Sequence, residues 1–186
     1  PARWTAPHPA VARALRWRPA SPGVEWGELQ LAGDGEAWRV RAIVLRVDPA
    51  RVGFALDTLT RDFRSRVAGA VDGTGDGVLA ASNAGQCEGG RPWGWTVLEG
   101  RELQPPGAGP LSSAFVITPA GRARIVAAAD LATVRDSAAL AFQSYPTLLD
   151  RDGDVPAPLR AAGRGVNVGH RDARLAIGVQ RDGRVV

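Results

Sequence analysis

Four side chains spread along this 186-residue chain have the chemistry to hold and cleave an anionic ligand: Asn83, Gln143, His170 and Arg174. The amides of Asn83 and Gln143 both donate and accept, which suits a hydroxyl or an N-acetyl group. The Arg174 guanidinium is permanently charged, and its planar fork matches a pair of phosphodiester oxygens. His170, four residues earlier, is able to protonate a leaving group near neutral pH. Each has a plainer alternative. Asn83 sits in Ser82-Asn83-Ala84-Gly85, residue types that also make tight turns. Arg174 also reads as a surface cation paired with Asp172, and His170 as a structural histidine. His8 lies in the N-terminal arm and is expected to be inert.

These residues need elements to position them. Val78-Leu79-Ala80-Ala81 is an apolar run that stops at Ser82-Asn83, and it reads as a buried strand delivering an amide to a sheet edge. The segment Asp130–Gln143 reads as a helix, with Val134, Ala138, Leu140 and Phe142 as its apolar positions and Gln143 at its end. Arg174–Gln180 reads as a strand. Its alternation puts Arg174, Ala176 and Gly178 on one face, and Leu175, Ile177 and Val179 on the other.

The rest of the chain fills in around them. Residues 1–22, rich in Pro, Ala and Arg, read as an irregular arm in which Trp17 buries its ring, and 23–186 as one domain. Gly27–Gly35 reads as a strand and turn. Glu36–Val47 gives the strongest strand pattern, broken by Asp48-Pro49, and Val52–Leu59 the next strand. Thr60–Ala70 reads as a capped helix and Asp72–Gly77 as a loop. Two hairpins are expected, around Glu99-Gly100-Arg101 and around Pro119-Ala120-Gly121-Arg122. Tyr145–Leu149 reads as a short strand, and Arg181–Arg184 as a turn into Val185-Val186. Strands outnumber helices and connections are short. The fold class is therefore α+β, with a mainly antiparallel or mixed sheet and a few helices.

Composition narrows the function. All 23 basic residues are Arg, interspersed with Asp, and the net charge is +4. No basic run with interleaved aromatics is present, which argues against nucleic acid as a partner. No apolar run is long enough to span a membrane. The single Cys87 rules out an internal disulfide or a cysteine metal cluster. Asp150-Arg151-Asp152-Gly153-Asp154 begins like a calcium loop, but its Gly comes early and Ala161 stands where the bidentate Glu belongs. No metal or cofactor is expected. The chain contains no Met, so it reads as a processed or trimmed piece.

Four blocks, in order, resemble the phosphodiester glycosidase domain family, the family of the lysosomal uncovering enzyme. They are Val44-Leu45-Arg46-Val47-Asp48-Pro49, Ser82-Asn83-Ala84-Gly85 with Pro92-Trp93-Gly94, Gln143-Ser144-Tyr145-Pro146-Thr147-Leu148-Leu149, and Arg174-Leu175-Ala176-Ile177-Gly178-Val179 with Asp182-Gly183. Together they cover roughly residues 40–186. Tyr145 stands where the family more often has Gly. The family domain also continues past the fourth block, so either a missing C-terminal segment or a second chain is expected to complete it. The resemblance implies a secreted or periplasmic bacterial hydrolase that cleaves a sugar from a sugar-1-phosphodiester, in a cell-envelope polymer or exopolysaccharide. It implies substrate contacts at Asn83, Gly85, Gln143, Ser144 and Arg174, with His170 and Arg174 in catalysis. The competing expectation is a non-catalytic module on the same scaffold that binds carbohydrate or a phosphate polymer. A further alternative is a structural envelope protein with a vestigial site. Glycoside cleavage commonly uses two flanking carboxylates, and no such pair is evident from the sequence.

Overall fold

The computed structural model describes residues 9–31, 40–56, 77–89, 91–157 and 174–186. Among the described residues, strands form three sheets whose pairings are all antiparallel, with little helix. A short helix α1 (Pro9–Ala14) precedes β1 (Arg18–Ser21), β2 (Val24–Leu31) and β3 (Val40–Val47). These strands make a three-stranded sheet in the order β1-β2-β3. The N-terminal segment is thus knitted into a sheet from Arg18 onward. Trp17 is half-buried, and the Arg46 guanidinium lies 4.1 Å from its ring centroid. Gly27 makes room for α1's neighbour: a β-carbon there would sit 2.7 Å from Leu15 Cδ1.

β4 (Cys87–Glu88) and β5 (Arg91–Pro92) form a two-stranded hook. β6 (Thr96–Leu98), β7 (Arg101–Gln104), β8 (Ser113–Ile117), β9 (Ala123–Ala127) and β10 (Leu140–Ser144) form the main sheet in the order β7-β6-β10-β8-β9. Both expected hairpins are present. The β6–β7 turn puts Glu99 and Gly100 at positive φ, 51° and 76°. β8 and β10 are central and largely buried, which explains their nearly unbroken apolar stretches. β7 and β9 are edges, and carry Arg101, Glu102 and Arg124.

Each face of the main sheet is covered. On one side Trp95, Val97, Ala114, Val116 and Ala141 pack with Leu131, Val134 and Ala138. On the other, Phe115, Ile117, Leu140 and Phe142 meet Val185, Val47, Phe54, Leu56 and Val179. Phe115 lies 5.5 Å from Phe142 and 5.8 Å from Phe54, centroid to centroid. The chain end locks this second layer. Val47 and Val185 exchange both main-chain hydrogen bonds, at 2.8 and 2.9 Å, and Gly178 does the same with Val186.

Several expectations are corrected. Asp130–Gln143 is not a helix. Two 3-10 turns, Ala128–Thr133 and Arg135–Ser137, lead into β10, the centre of the sheet. The Ala-rich composition favours helix, yet Leu140 and Phe142 are two apart and share one face, and tertiary pairing on both sides overrides propensity. Val78–Ser82 belongs to none of the described strands, and Val78 and Leu79 are about half exposed (45% and 52%). Residues 52–56 are not a strand either, although Phe54 and Leu56 still reach the core. Tyr145–Leu149 is irregular, with a cis bond at Tyr145–Pro146. Of Arg174–Gln180, only Val179 forms a β-bridge, to Val185. The expected helix at 60–70 and most of the loop at 72–77 lie outside the described residues.

Candidate functional site

The second and third blocks meet at the C-terminal end of β10. Gly85 lies against it. A β-carbon on Gly85, whose φ is 64°, would stand 3.3 Å from the Gln143 carbonyl oxygen and 3.6 Å from Phe142 Cβ. The absent side chain is what permits this approach. Gln86 then accepts a 2.7 Å hydrogen bond from the Trp93 main-chain N–H, which closes the hook over β4 and β5. Asn83 is exposed. Ser144 is half-buried, and its carbonyl accepts the Ser112 N–H at 3.1 Å.

Gln143 behaves differently from the expectation that it contacts substrate. Its residue exposure is 2%. Oε1 accepts the N–H groups of Trp95 (3.0 Å) and Gly107 (2.9 Å). Nε2 donates to the carbonyls of Gly107 and Leu111, both at 3.3 Å. The amide's donors and acceptor are committed to main chain, so the side chain is a tie between β10, the start of β6 and the 105–111 loop. Gly94 completes the tie. It sits at φ 108°, and a β-carbon there would lie 2.6 Å from Leu111 Cδ1 and 2.9 Å from Gln143 Oε1.

Flanking this tie along the chain are two aromatic side chains to which the sequence assigned no ligand contact. Trp93 and Tyr145 are both half-buried, with ring centroids 6.0 Å apart and planes at 72°. Trp93 was marked only by its place in the second block, and Tyr145 by standing where the resembled family more often has Gly.

The fourth block approaches the same layer from the chain end. Val179 packs in the cluster containing Phe142 and Val47, while Arg174, Leu175, Ala176 and Ile177 are exposed. His170, His8 and Asp172 lie outside the described residues. Asp48 is a turn residue: its Oδ1 accepts the Ala50 N–H at 3.0 Å. Asp150 likewise folds its own loop, with Oδ1 accepting the N–H groups of Asp152 and Asp154, both at 2.9 Å. Among the described residues, no group of three or more His, Cys, Asp or Glu is arranged to hold a metal ion. Nor does any helix there have the length and apolarity to cross a membrane.

A separate open cleft of about 680 Å³ is lined by Val97, Gly100, Glu102, Ala132, Arg135 and Asp136. None of the candidate ligand-binding or catalytic residues read from the sequence lines it. Its wall carries an ion pair in which Glu102 accepts from Arg135 through both oxygens and from Trp95 Nε1 at 2.9 Å. The hydrogen bond from Arg135 holds the Glu102 carboxyl below its usual range, with Trp95 adding to the effect. This pair ties the β6–β7 hairpin to the 3-10 turns. No sequence signal marks it, because neither partner belongs to a motif.

No family model, curated protein or solved structure matches this chain.

Proposed function

We propose that this protein is an exported hydrolase, secreted or periplasmic, with a phosphodiester-glycosidase-like fold. It cleaves the bond between the anomeric carbon and the phosphodiester oxygen of a sugar-1-phosphodiester. Water attacks the anomeric carbon, the C–O bond breaks, and free sugar and a phosphate monoester leave. Asn83 holds a sugar hydroxyl, Gly85 lets the main chain approach closely, and Ser144 lies at the base of the site. Arg174 binds the phosphate and offsets negative charge on the departing group. His170 supplies the leaving oxygen's proton.

One observation carries the reading. Segments that carry or adjoin the blocks approach one another around Phe142, the residue just before the third block. Val47, Phe142 and Val179 share an apolar cluster, and Gly85 packs on Phe142. A second reading, a non-catalytic module binding carbohydrate or phosphate polymer, is favoured by the fate of Gln143. One amide assigned to the glycone is consumed by main chain.

The test is turnover of the p-nitrophenyl ester of glucose 1-phosphate and of its 2-acetamido analogue. Glycosidic cleavage yields free sugar and nitrophenyl phosphate, which turns yellow only after added phosphatase. Direct colour marks P–O cleavage instead and refutes the glycosidase reading. Loss of sugar release in Arg174→Ala and Asn83→Ala supports it. Sugar binding without turnover selects the module.

A further inference from the structure

We propose that Trp93 and Tyr145 form a corner that receives one pyranose ring, and so constitute the glycone-recognition element of the site. The inference rests on the carbohydrate reading above and adds residues which that reading does not assign.

Neither ring belongs to the two apolar clusters that make up the core. Both are half-buried, so each keeps surface open to solvent. The rings come from positions far apart in the chain, yet meet at 6.0 Å with planes at 72°. Two rings at this angle offer a flat wall and an adjoining edge. A saccharide chair has an apolar C–H face for the wall and equatorial hydroxyls that project past the edge. A flat heteroaromatic ligand is better served by two parallel walls. Trp and Tyr also present a large rigid area with two side-chain torsions each, so little freedom is lost on binding.

The mounting is rigid. Trp93's N–H is held by Gln86, and the next residue, Gly94, is wedged between Leu111 and Gln143. Tyr145 follows Ser144, whose carbonyl is held by Ser112. Ser112 Oγ in turn accepts from Thr147 N at 2.8 Å and pairs with Thr147 Oγ1 at 2.9 Å. Asn83, exposed, lies three residues before Gln86, whose carbonyl holds the Trp93 N–H. Pre-organisation of this kind lowers the ordering cost of binding. Gln143 then acts as a positioning residue: it fixes the turn that carries Trp93 and touches no sugar.

The experiment pairs two measurements on the full chain. Saturation-transfer NMR and titration use methyl α-D-glucopyranoside and its 2-acetamido analogue as probes. Turnover uses the nitrophenyl esters above. Trp93→Ala and Tyr145→Leu are expected to weaken methyl glycoside binding by about tenfold or more, and to raise KM with kcat little changed, because a stacking wall serves ground state and transition state alike. Trp93→Phe keeps a flat face and is expected to retain most of the binding. If Trp93→Ala fails to fold, Tyr145→Leu carries the test. Turnover with KM within about twofold of wild type in both variants overturns the corner and leaves the hydrolase intact. Aromatic-dependent binding with no turnover in wild type supports the corner and overturns the hydrolase. Absence of both binding and turnover in folded wild-type protein overturns both.

Discussion

Replacing Gln143 tests whether its amide is structural or ligand-facing. In Gln143→Leu the volume is nearly kept but all four hydrogen bonds go. The Trp95 N–H and the Leu111 carbonyl belong to residues with 0% and 2% exposure, so neither finds water easily. Gly107 is half-buried, and water is closer to its two groups. Each buried group left without a partner costs about 1–3 kcal/mol. Two such groups cost about 2–6 kcal/mol, and the added apolar contact of Leu brings the loss down to roughly 2–4 kcal/mol. That is a large share of the roughly 5–15 kcal/mol that holds a domain together. For a chain of this size it lowers Tm by roughly 5–15 °C. Denaturant melts and calorimetry measure it directly. A loss below about 1 kcal/mol refutes the tie, since that is less than one orphaned group should cost.

Gln143→Glu sharpens the same argument through its sign with pH. One carboxyl oxygen still accepts from Trp95 and Gly107, but the other faces two carbonyl oxygens that formerly accepted from Nε2. The folded state therefore favours the protonated acid, raising its pKa above the unfolded value of about 4.3. The folded state then binds more protons, so stability is lost as pH rises through that interval. The gap between wild type and Gln143→Glu should be small near pH 3–4 and widest at neutral pH, by chemical melts at each pH. A gap independent of pH means that the second oxygen has found a donor, contrary to the geometry described.

Three further outcomes follow from other parts of the fold. Gly94→Ala combines a φ of 108° with β-carbon contacts at 2.6 and 2.9 Å, and should cost at least about 2 kcal/mol by denaturant melt; a neutral effect removes the wedge from the account. Phe115→Ala empties the centre of the layer shared by Phe54 and Phe142 and should cost about 3–5 kcal/mol, measured the same way. Glu102 has a lowered pKa from its bond with Arg135, so its contribution is complete above the ordinary carboxylate range and is lost as pH falls from that range through the lowered folded-state value. Glu102→Gln should therefore flatten the acid limb of the Tm–pH profile, and an unchanged limb counts against the pair.

What the sequence made legible follows the range of the interactions. The hairpins at Glu99-Gly100 and Pro119–Gly121 were readable because a turn and its flanking strands lie within a few residues. The antiparallel character followed from the same short connections. β10 was misread because its partners, β6 and β8, lie more than twenty residues away. Its Ala-rich approach carries a local preference that those partners override. Val78-Leu79 failed in the opposite sense: an apolar run can mark a strand only where a ladder exists to receive it, and these residues lie about half exposed outside the described strands.

The site residues divide along a related line. A polar residue type in a suggestive block announces that its hydrogen bonds matter, but it does not announce the partner. Gln143 and Asn83 were equal candidates as amides. One turned out to be surrounded by main-chain groups on three sides and the other to stand in solvent. The distinction lies in Gly94, Gly107 and Leu111, none of which carries chemistry of its own. Gly94 and Gly107 let two backbone segments close over β10, and that closure removes Gln143 from any ligand while fixing the position of Trp93. If the aromatic corner binds sugar, specificity in this fold depends on a buried amide and two glycines that a ligand never meets.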